Sequence, residues 1–173
     1  MSQQSEAASM NRTQALPVVL VTLCFLSACG PANRADQQDP VRIQIDSLVK
    51  ALQRREVGTV EALQLPRDAS FLMRVTPETI EQGWTYKSTV QHIYGVPADN
   101  LATILTKVAA RRIGKSSDLR SAMLFYSLSD NRRICAIYFD RTGRAGEVDG
   151  ISATFGENLF SHLKAVLSKY DEW

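Results

Sequence analysis

The sequence predicts an α+β domain: an antiparallel sheet of three or more strands with amphipathic helices packed on one face. Three observations carry this. Segments with helical apolar periodicity stand near the beginning, the middle and the end of the folded part. Strand-like runs separated by turn-forming residues lie between the second and third of them, and no regular strand, helix, strand alternation of the kind a parallel sheet needs is present. A chain of 173 residues with 45% apolar and 22% charged residues has the composition of one globular domain with a proper core.

Each element has its own reason. In residues 41–55, Ile45, Leu48, Val49 and Leu52 fall at the i, i+3, i+4, i+7 spacing of one helix face, with Lys50, Gln53 and Arg54 around the rest. Residues 57–66 (VGTVEALQLP) hold β-branched and apolar residues in shorter order and stop at Pro66, which suits a strand. Residues 71–75 (FLMRV) read as another strand. Thr76-Pro77-Glu78 is a helix start, with Thr76 as N-cap, proline at the first helical position and an acid in the first turn, and Gly83 ends the helix. Residues 84–93 alternate as a strand. Residues 97–113 predict a second long helix carrying Leu101, Ile104, Leu105 and Val108 on one face, Arg111 and Arg112 at its negative end and Gly114 as its stop. Three strands follow over 122–128, 133–139 and 147–154. They are joined by turns in which Asn131 and Gly143 can take positive φ, and the result is an antiparallel meander. Residues 158–170 close the chain as a helix with Leu159, Phe160, Leu163, Val166, Leu167 and Tyr170 on one face.

Chemistry is sparse. Twenty Lys and Arg against eighteen Asp and Glu leave a net charge of +2, with no basic surplus to suggest nucleic acid as a partner. The three cysteines, at 24, 29 and 135, form no CxxC pair and no metal-ligand cluster. No nucleophile elbow, zincin motif, phosphate loop or dinucleotide fingerprint occurs, so the sequence offers no catalytic residue, metal site or cofactor, and the expectation is a protein that is not an enzyme. His92 and His162 read as surface or half-buried residues, and Asp140 as a turn carboxylate rather than the partner of Asp149. Cys135, inside RRICAIYF, reads as a buried strand residue. Trp84 and Tyr86 read as core, while Tyr170 and Trp173 at the chain's end are harder to bury and are the expected contacts with a partner.

The N-terminal part has a different character. Residues 15–26 (ALPVVLVTLCFL) form an uncharged run of twelve residues, well short of the roughly 20 needed to span a bilayer but of signal-peptide length, preceded by Arg12 and followed by small residues. Residues 1–9 are polar and carry Glu6, so translation from Met10 is the better reading. Residues 30–40 (GPANRADQQDP) lack any large apolar side chain and read as a tether reaching at most about 35–40 Å. The expected organisation is therefore a signal segment over 1–28, a modified cysteine and tether over 29–40, and one folded domain over 41–173.

Leu26-Ser27-Ala28-Cys29 resembles the lipobox of bacterial lipoprotein precursors. The resemblance implies cleavage before Cys29, a diacylglycerol thioether on its sulfur and an acylated amino group, with palmitate-type chains. It makes Cys29 the lipidation site and the first mature residue, and Cys135 the only remaining thiol. In that family the residue after the cysteine guides sorting; Gly30 is not the aspartate of inner-membrane retention, which implies a lipid-anchored protein on the periplasmic face of the outer membrane of a Gram-negative bacterium. The run ICAIYFDRTGRAGEV, within residues 123–151, is similar to the late sheet of BamE-like (SmpA/OmlA) outer-membrane lipoproteins, which assist β-barrel assembly.

The functional expectation is a membrane-anchored periplasmic lipoprotein acting as a non-catalytic protein-binding or envelope-assembly module. Its partners are the membrane, through Cys29, and an unidentified envelope protein. The alternative is an immunity or inhibitor lipoprotein that neutralises a toxin or wall hydrolase.

Overall fold

The computed structural model describes residues 38–66, 70–115 and 117–170. Four helices and seven strands are present among them: α1 (Pro40–Gln53), β1 (Val57–Gln64), α2 (Pro77–Gly83), β2 (Tyr86–Gln91), α3 (Val96–Lys107), β3 (Arg111–Arg112), β4 (Leu119–Ser127), β5 (Arg133–Asp140), β6 (Ala145–Val148), β7 (Ile151–Thr154) and α4 (Leu159–Leu167). The strands form one sheet in the order β2-β1-β4-β5-β6-β7-β3, with every pairing antiparallel. The α+β class expected from the sequence is the class observed.

Strand alternation divides the apolar residues between two cores. Along β5, Cys135, Ile137 and Phe139 enter one cluster while Ala136 and Tyr138 enter the other; along β4, Met123 and Phe125 oppose Ala122 and Leu124 in the same way. Successive side chains of a strand point to opposite faces, so the clusters lie on the two sides of the sheet. The larger one contains Ile45, Leu48 and Leu52 of α1, Leu101 and Leu105 of α3, and Leu159, Leu163 and Leu167 of α4. Phe139 lies at its centre, with ring centroids 5.5 Å from Phe155 and 5.3 Å from Phe160. Each such side chain, fully buried, contributes about 1.5–3 kcal/mol.

The expectation that helices pack on one face holds for α1, α3 and α4 but not for α2. Ile80 of α2 joins Val75, Leu63, Leu119, Leu124 and Tyr138 in the second cluster. The reason lies in β4 and β5: both are apolar on both faces over their middles, and a strand of that kind needs cover on each side. The Pro77–Gly83 helix supplies it.

Three boundaries differ from the sequence reading. Residues 71–75 form no strand: Val75 is buried in the second cluster and its N–H bonds to the Asp118 side chain instead of to a strand. α3 ends at Lys107, with the β-branched Val108 extended at ψ 133°, and Arg111 and Arg112 pair with Thr154 and Ala153 of β7 instead of closing a helix. The segment expected as a single strand over 147–154 is a hairpin: Asp149 and Gly150 take φ of 45° and 79° and make the two-residue turn between β6 and β7. The turns at Asn131 (φ 54°) and Gly143 (φ 67°) form where expected.

Candidate functional site

The β2 end of the sheet is open. β2 bonds to β1 on one side and is the last strand on the other, so among the described residues one row of its backbone groups has no strand beside it. Trp84 precedes it and Tyr86 begins it, 43% and 66% exposed. Among the described residues neither the indole N–H nor the phenol hydroxyl has a hydrogen-bond partner. The sequence reading of these two aromatics as core is corrected here. The alternation was right, since Val90 on the same side of the strand is buried, but the helical layer stops short of Tyr86.

Between this edge and α4 runs a groove of about 680 Å³, lined by Leu65, Trp84, Tyr86, Phe160, Lys164 and Leu167 among others. The Lys164 ammonium donates to Gln64 Oε1 at 2.9 Å. Gln64, Leu65, Phe160 and Lys164 also line a neighbouring cavity of about 440 Å³ that includes Arg120, Ser121, Asp140 and Arg141. The groove therefore has an apolar, aromatic half beside the open edge and a polar half beyond the Lys164–Gln64 bond. At its outer rim Lys87 lies 5.8 Å from the Trp84 ring centroid and pairs with Glu61 at 2.6 Å. Thr85 N–H donates to Gln64 carbonyl at 2.9 Å, fixing where Trp84 leaves the sheet.

A second polar constellation sits on the opposite face. The Tyr138 hydroxyl donates to Glu81 Oε1, and Arg133 Nη1 reaches the same oxygen at 2.7 Å. Burial, followed by the hydrogen bond to Glu81 and its negative charge, pushes the Tyr138 phenol far above its usual range. The hydroxyl stays protonated and donates, so the trio latches α2 to β5. Neither Glu81 nor Tyr138 lines either half of the groove.

The residues singled out from the sequence are distributed as follows. Cys29, Gly30 and Trp173 lie outside the described residues. Tyr170, just past α4, is half-buried against the larger core and presents only part of its ring. Cys135 is buried; desolvation, then the Asp149 carboxylate beside it, raises its thiol well above the ordinary value, so it has little thiolate character. Asp140 accepts from Thr142 N–H at 3.1 Å, Arg144 N–H at 3.2 Å and Thr142 Oγ1 at 2.9 Å, the work of a turn carboxylate. Asp149 accepts from Ala136 N–H at 2.8 Å. His92 meets Tyr94 edge-on, and His162 Nδ1 lies 3.7 Å from Glu157 on the surface. Among the described residues no three His, Cys, Asp or Glu side chains converge as metal ligands, and no helix is long and apolar enough to cross a membrane.

No family model, curated protein or solved structure matches this chain.

Proposed function

We propose that this chain is a lipid-anchored envelope protein whose domain holds a protein partner along the open β2 edge. The single observation that supports partner binding is the pair Trp84 and Tyr86, exposed beside an apolar groove and a strand edge that no other described strand pairs. Exposed edges invite pairing, and monomeric proteins blunt them with very short strands, prolines or bulges; β2 has six residues and no proline. An added strand supplies backbone hydrogen bonds while neighbouring pockets take side chains, and Trp and Tyr are the residue types that dominate interface energetics. The anchor is supported by the lipobox resemblance at Leu26-Ser27-Ala28-Cys29, and Gly30 favours the outer membrane. The role is one of holding rather than of catalysis.

Two measurements test this. Cys29→Ser is expected to move the protein from the membrane to the soluble fraction; a variant still processed and still membrane-bound refutes the anchor. Affinity capture from envelope extract is expected to yield a partner with the wild-type domain and to lose it with Trp84→Ala and Tyr86→Ala together, and equal capture by both refutes the edge. The partner's chemistry, an assembly protein against a toxin or wall hydrolase, separates the scaffold reading from the immunity reading.

A further inference from the structure

Residues 71–73, ahead of α2, form an exposed apolar run. Leu72 is fully exposed, Met73 is 83% exposed and Phe71 is exposed beside them, three consecutive apolar side chains facing water. Their base is held firmly. Arg74 Nε donates to Ser117 carbonyl at 2.9 Å, Arg74 Nη2 reaches Glu147 at 3.0 Å, and Val75 N–H donates to Asp118 Oδ1 at 2.9 Å. The Arg120 guanidinium stacks 4.8 Å from the centroid of Phe71. This is a braced tip.

The start of α1 is bonded to a neighbouring segment. Asp39, one residue before α1, accepts the Arg112 backbone N–H at 2.8 Å. Arg112 and Ser117 are five residues apart, which no conformation can stretch beyond about 18 Å. The start of α1 and the base of the apolar tip are therefore linked through one short segment. The segment leading from β3 to Ser117 carries Arg111, Arg112 and Lys115, all exposed, and among the described residues none of the three makes an ion pair. The neighbouring acids are already occupied: Asp118 with Arg120 at 2.6 Å, Glu147 with Arg74, and Asp39 with backbone N–H groups.

We infer that residues 71–73 and the cations Arg111, Arg112 and Lys115 form a bilayer-facing surface, in which the tip enters the interface and the cations meet anionic phospholipid headgroups. Apolar side chains projecting from a braced base, with cations on the segment that bonds it, match the apolar interior and charged rim of a lipid leaflet. A tip of three residues binds weakly alone, so it acts as a second contact beside a lipid chain and sets which way the domain faces. The inference deepens the anchored reading by naming the face that meets the membrane.

The test uses the domain from Asp36 to Trp173, which forms one compact unit containing both cores and lacks Cys29. Sedimentation is measured with vesicles of phosphatidylcholine alone and of phosphatidylcholine mixed with phosphatidylglycerol, with circular dichroism confirming that each variant folds. The wild-type domain is expected to bind the mixed vesicles more tightly than the neutral ones, and less tightly as salt rises. L72S with M73S should weaken binding to both by about tenfold or more. R111E with R112E should erase the preference for the mixed vesicles. L128S, which removes an exposed leucine elsewhere, should bind as wild type. The inference is overturned if the wild-type domain binds neither vesicle, if the tip variant binds as well as wild type, or if L128S weakens binding as much as the tip variant does. Because Cys29 is absent throughout, these results are independent of the Cys29→Ser result, which bears on the anchor alone.

Discussion

At one edge of the sheet stands β3, two residues long, both arginine, with Asp39 seated on the Arg112 N–H. At the other stands β2, six residues long, opening on Tyr86 with Trp84 just before it and with no strand beyond it among the described residues. Short length and positive charge are standard ways of discouraging a neighbouring strand, and the β3 edge has both. The β2 edge has one inhibitory feature, Lys87, and its ammonium is drawn to Glu61 at 2.6 Å. The difference separates what holds the fold from what is left exposed: the central strands and their two cores hold it, the β3 edge discourages a neighbouring strand, and the β2 edge does so less.

The strongest way to break the comparison is to damage what the edges share. Phe139→Ala, at a site with no exposure between Phe155 and Phe160, is expected to destabilise the domain by about 3–5 kcal/mol, measured by urea unfolding, and to impair both edges together. Trp84→Ala with Tyr86→Ala should separate them: partner affinity should fall by about 2 kcal/mol or more, roughly 30-fold, in a binding titration. Stability should change by less than about 1 kcal/mol, since both side chains are exposed. Asp39→Ala acts on the other edge. It removes the acceptor for Val41 N–H at the start of α1 and for Arg112 N–H, so a loss of about 1 kcal/mol is expected. Amide hydrogen exchange should quicken at Arg112 and stay unchanged in β2.

The smallest effect is one of pH. Burial pushes the Asp118 carboxyl up, but the Val75 N–H and the Arg120 and Arg74 guanidiniums outweigh it and hold the pKa below the ordinary value. A depressed folded-state pKa gives stabilisation that is present above the unfolded value, about 3.9, and is lost as pH falls through the folded value. Wild type should therefore lose this contribution below about pH 4. Asp118→Asn should lower stability slightly at neutral pH and flatten that acid limb in thermal melts, a small change because the side chain is half exposed.

Much of the fold could be read from residues because period and turn chemistry are local. Ile45, Leu48, Val49 and Leu52 announce α1, and all four are buried. Asn131 and Gly143 announce their turns. Cys135 was legible as a core residue from its apolar strand. The misreadings were of features that local pattern does not carry. Two arginines cannot show a period of two, so β3 was absorbed into the preceding helix. The run FLMRV is apolar enough for a strand, but strandhood requires a ladder of backbone partners, and Val75 N–H bonds to the Asp118 side chain instead. Asp149-Gly150 is a hairpin signal that was open to reading and was passed over inside an apolar stretch. The candidate site was the least legible part. Alternation shows which face of the sheet Tyr86 occupies, but not that α4 and its companions end before reaching it. Tyr170, offered from the sequence as a contact, is half-buried against the core, whereas Trp84 and Tyr86, offered as core, form the exposed edge.

The most direct test of the central claim is site-specific photocrosslinking in living cells, with a photoreactive residue placed at Tyr86 and, in a separate strain, at Lys50 on the exposed side of α1. The account predicts a discrete adduct with a second protein from position 86 and none from position 50. No adduct from position 86, or the same adducts from both positions, would contradict it.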